Sequence, residues 1–354
     1  CISLYFLREH MKLKVKNYLY RAILDSQNRK IKRKKKLLLS QNIVNNHKKL
    51  QYHNLGNKNP KKIFYIIQRK KGGGLFSNLL FVLNHLAICE KLKLIPIVDM
   101  YNFEGFYNEI NKVNKTLNSW EYYFNQTSKY KLEDVYQSKN VIFSSSETFK
   151  NYKLRAFKKF KDLYNAYKKY IRMNTAIIKE ANENFKRLKI DRYNTVGLHW
   201  RGTDHKFLPN HPQPPSRKQI FNKIDKILKN KKRKKIFLVT EDPEYLEIMK
   251  KKYGKKVLYL NSFRSSKSSD FSNFNRNNHR FKVGKESLIE VLILSKLNYL
   301  VCSESNISDF AKFISLNKNF YIDRIVNTRN SSNVFISFLR WKIKSFLPSF
   351  LGGY

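Results

Sequence analysis

Thr195-Val196-Gly197-Leu198-His199-Trp200-Arg201-Gly202-Thr203-Asp204 is the stretch on which the reading of this chain turns. A short apolar, β-rich run breaks off at His199, Arg201, Gly202, Thr203 and Asp204. In an open α/β sheet the ligand crevice lies beyond the carboxyl ends of the strands. A strand ending in this set therefore places charge where a ligand would sit. Arg201 supplies an always-charged fork that matches phosphate oxygens, and Gly202 lets the backbone turn sharply or approach a ligand closely. The spacing equally permits a strand edge with Arg201 paired to Asp204 and nothing bound.

Working downstream, strands and helices alternate. A strand over 196–200 is followed by a helix near 216–228 and a strand at 236–239. Asp242 and Pro243 suit the N-cap and first position of a helix reaching to about Tyr253. A strand at 257–260 leads into a polar loop over 261–282, a helix at 285–296 and a strand at 299–302. A Ser/Asn-rich turn then opens a helix near 307–315. Upstream, a strand at 63–67 runs into Gly72-Gly73-Gly74, an apolar helix over 75–92 and a strand at 95–98 closed by Asp99, which is a βαβ unit. A further strand is expected at 141–143 and one or two helices at 152–188. Strands alternating with helices at this spacing imply parallel sheets. The expectation is an α/β protein of two domains, 61–192 and 193–325, meeting at Arg192-Tyr193-Asn194. They are preceded by a basic, weakly structured arm (1–60) and followed by a basic amphipathic tail (326–354).

Length and composition bound the function. At 354 residues, with 42% hydrophobic and 14% aromatic residues, the chain has enough material for two folded cores. Lys and Arg number 72 against 26 Asp and Glu, a net charge of +46. Such a charge attracts nucleic acid or the anionic leaflet of a membrane. The lysines are nonetheless spread over many segments, as compositional drift would spread them. The run Arg29-Lys30-Ile31-Lys32-Arg33-Lys34-Lys35-Lys36 lacks the interleaved aromatics that single-strand binding uses, so nucleic acid is not expected as a specific partner. Three cysteines, Cys1, Cys89 and Cys302, form no CxxC pair and no zinc or disulfide framework. They read as those of a cytoplasmic protein, with the option of peripheral contact at a membrane. The first residue is Cys1 rather than Met, which reads as a fragment or an upstream extension, with Met11 as an alternative start. No stretch holds the roughly 18 uninterrupted apolar residues of a spanning helix.

Four segments follow strands and should carry the chemistry: Gly72 to Asn78, His199 to Asp204, Thr240-Glu241-Asp242, and Ser303-Glu304-Ser305-Asn306-Ile307-Ser308. Backbone amides at Gly74, and hydroxyls and amides at the start of the helix after Cys302, would suit an anion. Each has a plainer reading: a flexible turn at the glycines, helix capping by Asp242, and capping by the Ser/Asn turn. Residues 333–351 stand apart. Phe335, Ile336, Phe338, Leu339, Ile343, Phe346 and Phe350 recur at near-helical spacing among Arg340, Lys342 and Lys344. Such a helix either lies on a membrane interface or docks on the protein's own surface.

Taken in order, the segments resemble a family. His199-Trp200-Arg201-Gly202-Thr203-Asp204 looks like the HxRGTD or HxRRTD signature of the α1,6-fucosyltransferase and nodulation fucosyltransferase superfamily. Val239-Thr240-Glu241-Asp242-Pro243 is similar to that family's second motif, and Gly284 through Ser308 resembles its third. Gly74-Leu75-Phe76-Ser77-Asn78-Leu79-Leu80 also fits, so the resemblance spans about 62–325. It implies a GT-B-like fold, two Rossmann-like domains facing each other across a cleft. It also implies an inverting, metal-independent transfer of a sugar, fucose by the family's habit, from a GDP-sugar to a glycan acceptor of a surface polysaccharide or glycolipid. No cofactor and no metal are expected, and no Asp-x-Asp occurs in the four segments.

Candidate site residues follow, His199, Glu290, Ser303, Ser305 and Asn306 from the resemblance and the others from their chemistry and place in the chain. Arg201 would neutralise the departing GDP, and Asp204 or His205 would serve as the base. Gly74, Asn78, His199, Arg201, Asp242, Glu290, Ser303, Ser305 and Asn306 would lie at the donor, and Arg264 and His279 along the cleft. The chain departs from the pattern at three places. His205 stands where many relatives have Lys, Gly202 stands where the α1,6 enzymes have a second Arg, and Glu290 stands where Asp is usual. Two rival readings are a basic polyanion-binding protein and a degenerate member acting as a binding module.

Overall fold

The computed structural model describes residues 52–69, 73–144, 160–229, 233–315 and 319–354. The basic run 29–36, Cys1, Gly72 and the first part of the helix expected from 152 lie outside the described residues. The chain is α/β and divides into two compact units at Asn174/Thr175.

In the first unit, strands β1 (Tyr52–His53), β2 (Phe64–Ile67), β3 (Ile95–Val98) and β4 (Val141–Phe143) form a sheet in the order β1-β4-β2-β3. Parallel pairing joins β2 to both β3 and β4, and β1 adds an antiparallel edge. All four β2 residues are buried, as expected of a parallel strand covered on both faces. Helix α1 (Leu75–Leu92) returns the chain from β2 to β3. It ends at Lys93 in the left-handed region, whose amide closes on the Cys89 and Glu90 carbonyls. By length and composition α1 alone among the described helices could cross a membrane, yet 61% of it is buried in the protein and it is a core helix. The short α2 (Leu132–Val135) and α3 (Phe160–Tyr170) complete the unit.

The second unit contains α4 (Thr175–Arg187), β5 (Thr195–His199), α5 (Arg217–Lys229), β6 (Lys235–Val239), α6 (Pro243–Tyr253) and β7 (Val257–Leu258). It continues through α7 (His279–Leu294), β8 (Tyr299–Cys302), α8 (Asn306–Ile314), β9 (Tyr321–Arg324) and α9 (Val334–Phe346). Its division from the first unit lies before α4, not at the expected Arg192-Tyr193-Asn194. The reason is packing: α4 lies against α7, with Lys285 Nζ 3.0 Å from Glu180 Oε2. Residues 326–354 also belong to this unit.

All strands of the second sheet are parallel, in the order β7-β6-β5-β8-β9. The order reverses between β5 and β8, and that switch point is where open α/β sheets hold ligands. Register fixes the edge: His199 pairs with both Val239 and Cys302, so β5, β6 and β8 end level with one another. The loops that begin at Trp200, Thr240 and Ser303 therefore leave from one edge of the sheet. Beneath them Val196, Leu198, Trp200, Ile220, Ile236, Leu238 and Met249 form a core. Trp200 stacks on Tyr245 at 3.9 Å between ring centres and donates its indole N–H to Pro215 O at 3.0 Å.

Candidate functional site

The loop after β5 folds over the loop after β6. Glu241 Oε1 accepts the Gly202 amide at 2.9 Å and lies 3.8 Å from Arg201 Nε. Asp204 Oδ1 lies 3.5 Å from Arg201 Nη2. Arg201 is thus gripped by two carboxylates while 28% of its side chain stays accessible. Thr203 takes a positive φ of 36°, and its hydroxyl donates to Ser265 O at 3.2 Å. Gly202 is required by space: a Cβ there would lie 2.6 Å from Tyr245 Cε2 and 2.7 Å from Asp242 Oδ2. A second arginine at that position has no room in this chain.

Asp242 holds this arrangement from below. Its Oδ1 accepts the Glu244 amide at 3.0 Å, which caps α6, and its Oδ2 accepts from the Thr203 amide at 3.3 Å and Lys206 Nζ at 3.1 Å. Both oxygens are engaged by the protein, so Asp242 positions the loop. Lys206 also lies 4.9 Å from the Tyr245 ring centre and 5.0 Å from that of Trp341 on α9.

The histidines are placed for packing. His199 is buried, shares a 2.9 Å hydrogen bond with Ser308 Oγ, and is pushed down to about 3 by burial, with the Arg201 charge adding to it. Burial, with Arg201 beside it, pushes His205 down to about 2. The His205 ring meets that of His211 edge-on at 5.0 Å, and its backbone carbonyl accepts from Asn330 Nδ2 at 2.8 Å. Both rings are neutral at pH 7. His279 is not in an exposed loop as expected: α7 begins there, six residues before the expected start. Its ring is buried between Phe263 and Phe274, with Nε2 2.7 Å from Asp270 O. Arg276 Nε approaches its Nδ1 at 3.2 Å.

Glu290, on α7, forms a second buried cluster. Its Oε1 accepts from Ser262 Oγ at 2.7 Å and lies 4.0 Å from Arg264 Nη2. Burial pushes its carboxyl up to about 7, against the Ser262 hydrogen bond and the Arg264 charge. Arg264 donates to Ser262 O and Leu260 O, each at 2.9 Å, and its side chain is 7% exposed. The loop carrying Arg264 joins the Arg201 cluster through Ser265, whose amide donates to Glu241 O at 3.0 Å.

Beyond β8, Ser305 caps α8 by accepting the Ile307 amide at 3.2 Å, and Asn306 is its first, exposed residue. Ser303 is buried with no hydrogen-bond partner for its hydroxyl, and the same holds for Tyr245 Oη and Arg264 Nε. Leaving a buried polar atom unpaired costs about 1–3 kcal/mol, and these three sit in or beside the loops at one sheet edge. Among the described residues no group of three or more His, Cys, Asp or Glu side chains is arranged to hold a metal ion.

In the first unit, Gly74 is the N-cap of α1, and the Leu75 amide donates to Tyr107 Oη at 2.8 Å. Asn78 is buried and its Oδ1 accepts from Arg69 Nη1 at 2.8 Å, with Ser77 Oγ at 3.1 Å. Arg69, two residues past β2, carries no sequence signal of its own, since it stands beside Lys70 and Lys71 in a basic stretch.

The geometry adds residues to those expected. Glu241 and Lys206 join Arg201, Asp204 and Asp242, while Tyr245 floors the loop. Glu241 lies within a segment already singled out, but the capping pattern draws attention to its neighbour. Lys206 and Tyr245 have no local signal, because their partners are distant in sequence.

No protein-family model matches the chain, and no curated protein matches it in sequence. Among solved structures it is similar to NodZ α1,6-fucosyltransferase soaked with GDP-fucose, at 13% identity and a TM-score of 0.46, covering 72% of this chain and 93% of that one. It is similar to fucosyltransferase NodZ from Bradyrhizobium at 12% identity and a TM-score of 0.44, covering 71% and 92%. It is also similar to POFUT1 in complex with GDP-fucose, at 11% identity and a TM-score of 0.42, covering 75% and 98%.

Proposed function

We propose that this chain is a GDP-sugar-dependent glycosyltransferase that transfers a sugar, fucose by the motif resemblance, to a glycan acceptor of a surface polysaccharide or glycolipid. One observation carries the reading. Arg201 stands at the end of β5, beside the sheet's switch point, charged, partly accessible and held by Asp204 and Glu241. A guanidinium fixed in this way suits a diphosphate. The unpaired Ser303 hydroxyl at the end of β8 supplies a donor across the same switch point.

In the inverting transfer, the acceptor oxygen forms its bond to the sugar's anomeric carbon as the bond from that carbon to the diphosphate oxygen breaks. The electron pair leaves with GDP, and Arg201 stabilises that charge as it develops. The acceptor proton passes to a base. Asp204 is better placed for this than His205, because its carboxylate is partly exposed beside Arg201 whereas the His205 imidazole is buried and resists protonation. Glu290, Ser262 and Arg264 belong to the wall that receives the nucleotide. The reaction as written needs no metal.

Calorimetric titration with GDP, UDP, CMP and ADP at moderate salt tests the reading. Selective binding of GDP, lost in Arg201→Ala, is the expected result. Equal weak binding of all four would mean that the charge of +46 attracts anions without selection, and the proposal would fall.

A further inference from the structure

Helix α9 is attached the wrong way round for a helix that docks on its own protein. A surface helix normally turns its apolar stripe inward. Here the attached side is Ser337, which is fully buried, together with the half-buried Trp341. Gln213 Nε2 donates to Ser337 O at 3.2 Å, Lys206 lies against the Trp341 ring, and the Tyr354 amide donates to Lys344 O at 2.8 Å. At about 100° per residue, Phe335, Ile336, Leu339, Ile343 and Phe346 fall within one arc, centred opposite the Ser337–Trp341 side. They are exposed, Phe335 by 72% and Phe346 by 86%, and Phe350 beyond the helix by 85%. Lys342 borders the arc on one side and Arg340 on the other. Residues 324–354 contain no Asp or Glu.

We propose that this face of α9 lies on an anionic lipid surface, its apolar arc sunk to the level of the headgroups and Arg340 and Lys342 at their phosphates. The pattern of an apolar face edged by cations is that of a helix lying in the plane of an interface. Charge decides the occupant. A second copy meeting this face would bring Arg340 and Lys342 of two chains together, each chain carrying +46 overall. An anionic bilayer neutralises both cations and takes up the apolar arc at once. Of the two sequence alternatives for residues 333–351, the helix does dock on its own protein, but by the side opposite its apolar arc, and the membrane alternative is the one proposed here for that arc. The proposal does not depend on the nucleotide reading.

Substitution is the proper test. Deleting residues 333–354 would also remove the Ser216 Oγ contact to Tyr354 O and the Gln213 contact to Ser337, and so disturb the loop after β5. The full chain and a Phe335→Ser/Leu339→Ser/Phe346→Ser variant are sedimented with vesicles of phosphatidylcholine alone or with about 30% phosphatidylserine, near physiological salt. Partition of the parent onto the phosphatidylserine vesicles is expected, with a loss of about tenfold or more in the variant, whose charge is unchanged. The single Phe346→Ser change should give a smaller loss in the same direction. Equal partition of parent and variant would mean adsorption by charge alone and would overturn the proposal. So would self-association of the parent in the absence of lipid, abolished in the variant, or failure of the parent to bind either vesicle.

Discussion

Glu241 accepts the Gly202 amide at 2.9 Å with the same oxygen that stands 3.8 Å from Arg201 Nε. It therefore fixes the backbone on one side of the guanidinium and part of the guanidinium itself. Burial raises its carboxyl above the usual range, against the pull of Arg201.

These two roles make opposite demands, and substitution separates them. Glu241→Gln keeps an acceptor for the Gly202 amide and removes a negative charge that competes with a bound diphosphate. We expect its GDP affinity to equal or exceed the parent's. Glu241→Ala removes the acceptor and should bind GDP about tenfold more weakly, equivalent to about 1.4 kcal/mol. Calorimetry on the pair checks this, and identical behaviour of the two variants would refute the positioning role.

Gly202→Ala tests the close approach in the same loop. A methyl group 2.6 Å from Tyr245 Cε2 must displace either that ring, which is stacked on Trp200, or the Asp242 carboxylate. Overpacking of this kind costs about 1–3 kcal/mol. Denaturant midpoints at fixed m-value should shift accordingly. An unchanged midpoint would mean that the loop yields freely.

Glu290 gives a pH signature. Its carboxyl, pushed up to about 7 in the folded chain, keeps its proton between about pH 4.5 and 7 while the unfolded chain has lost it. The folded state then binds more protons, so this residue's contribution is fully present below the unfolded pKa and is lost as pH rises through 7. The slope approaches about 1.4 kcal/mol per pH unit inside that window. Measured as the difference between parent and Glu290→Gln, denaturation at pH 5, 6, 7 and 8 should show the variant gaining relative stability up to pH 7 and none beyond. A flat difference would place the carboxyl's titration outside the window.

The choice of base also separates cleanly. Asp204→Asn should lower turnover with GDP-fucose by about 10²–10⁴-fold while changing GDP affinity far less. His205→Gln should leave turnover within about tenfold of the parent, since a ring pushed down to about 2 is a weak proton acceptor. The reverse ranking would transfer the role to His205.

Much of this architecture is legible from local pattern. The limits of β3, β4 and β8 agree with the expected ones because each is an unbroken apolar run, and those of α1 agree because its largely apolar sequence runs from the glycine turn at Gly74 to Lys93. Asp242-Pro243 marks the start of α6 correctly, because a cap acts within one turn. β9 escapes notice: Tyr321-Ile322-Asp323-Arg324 is a partly exposed edge strand, recruited by pairing with β8 rather than by burial of its own. The start of α7 at His279 is hidden by Arg276, Arg280 and Lys282, whose polarity suggests a loop until the aromatic packing of His279 is known. Within the site, Arg201, Asp204 and Asp242 stand out in short segments. Lys206 joins them only through contacts made across the fold.

Lys206 is the point at which two parts of the molecule share one side chain. It is hydrogen-bonded to the Asp242 that holds the Arg201 loop, and it lies over Tyr245 and against Trp341 of α9. Whatever presses on or rotates α9 must carry Lys206 with it or release it, and Asp242 loses a cation in the second case. Through Lys206 the tail helix and the loop that presents Arg201 are thus tied to one and the same cation.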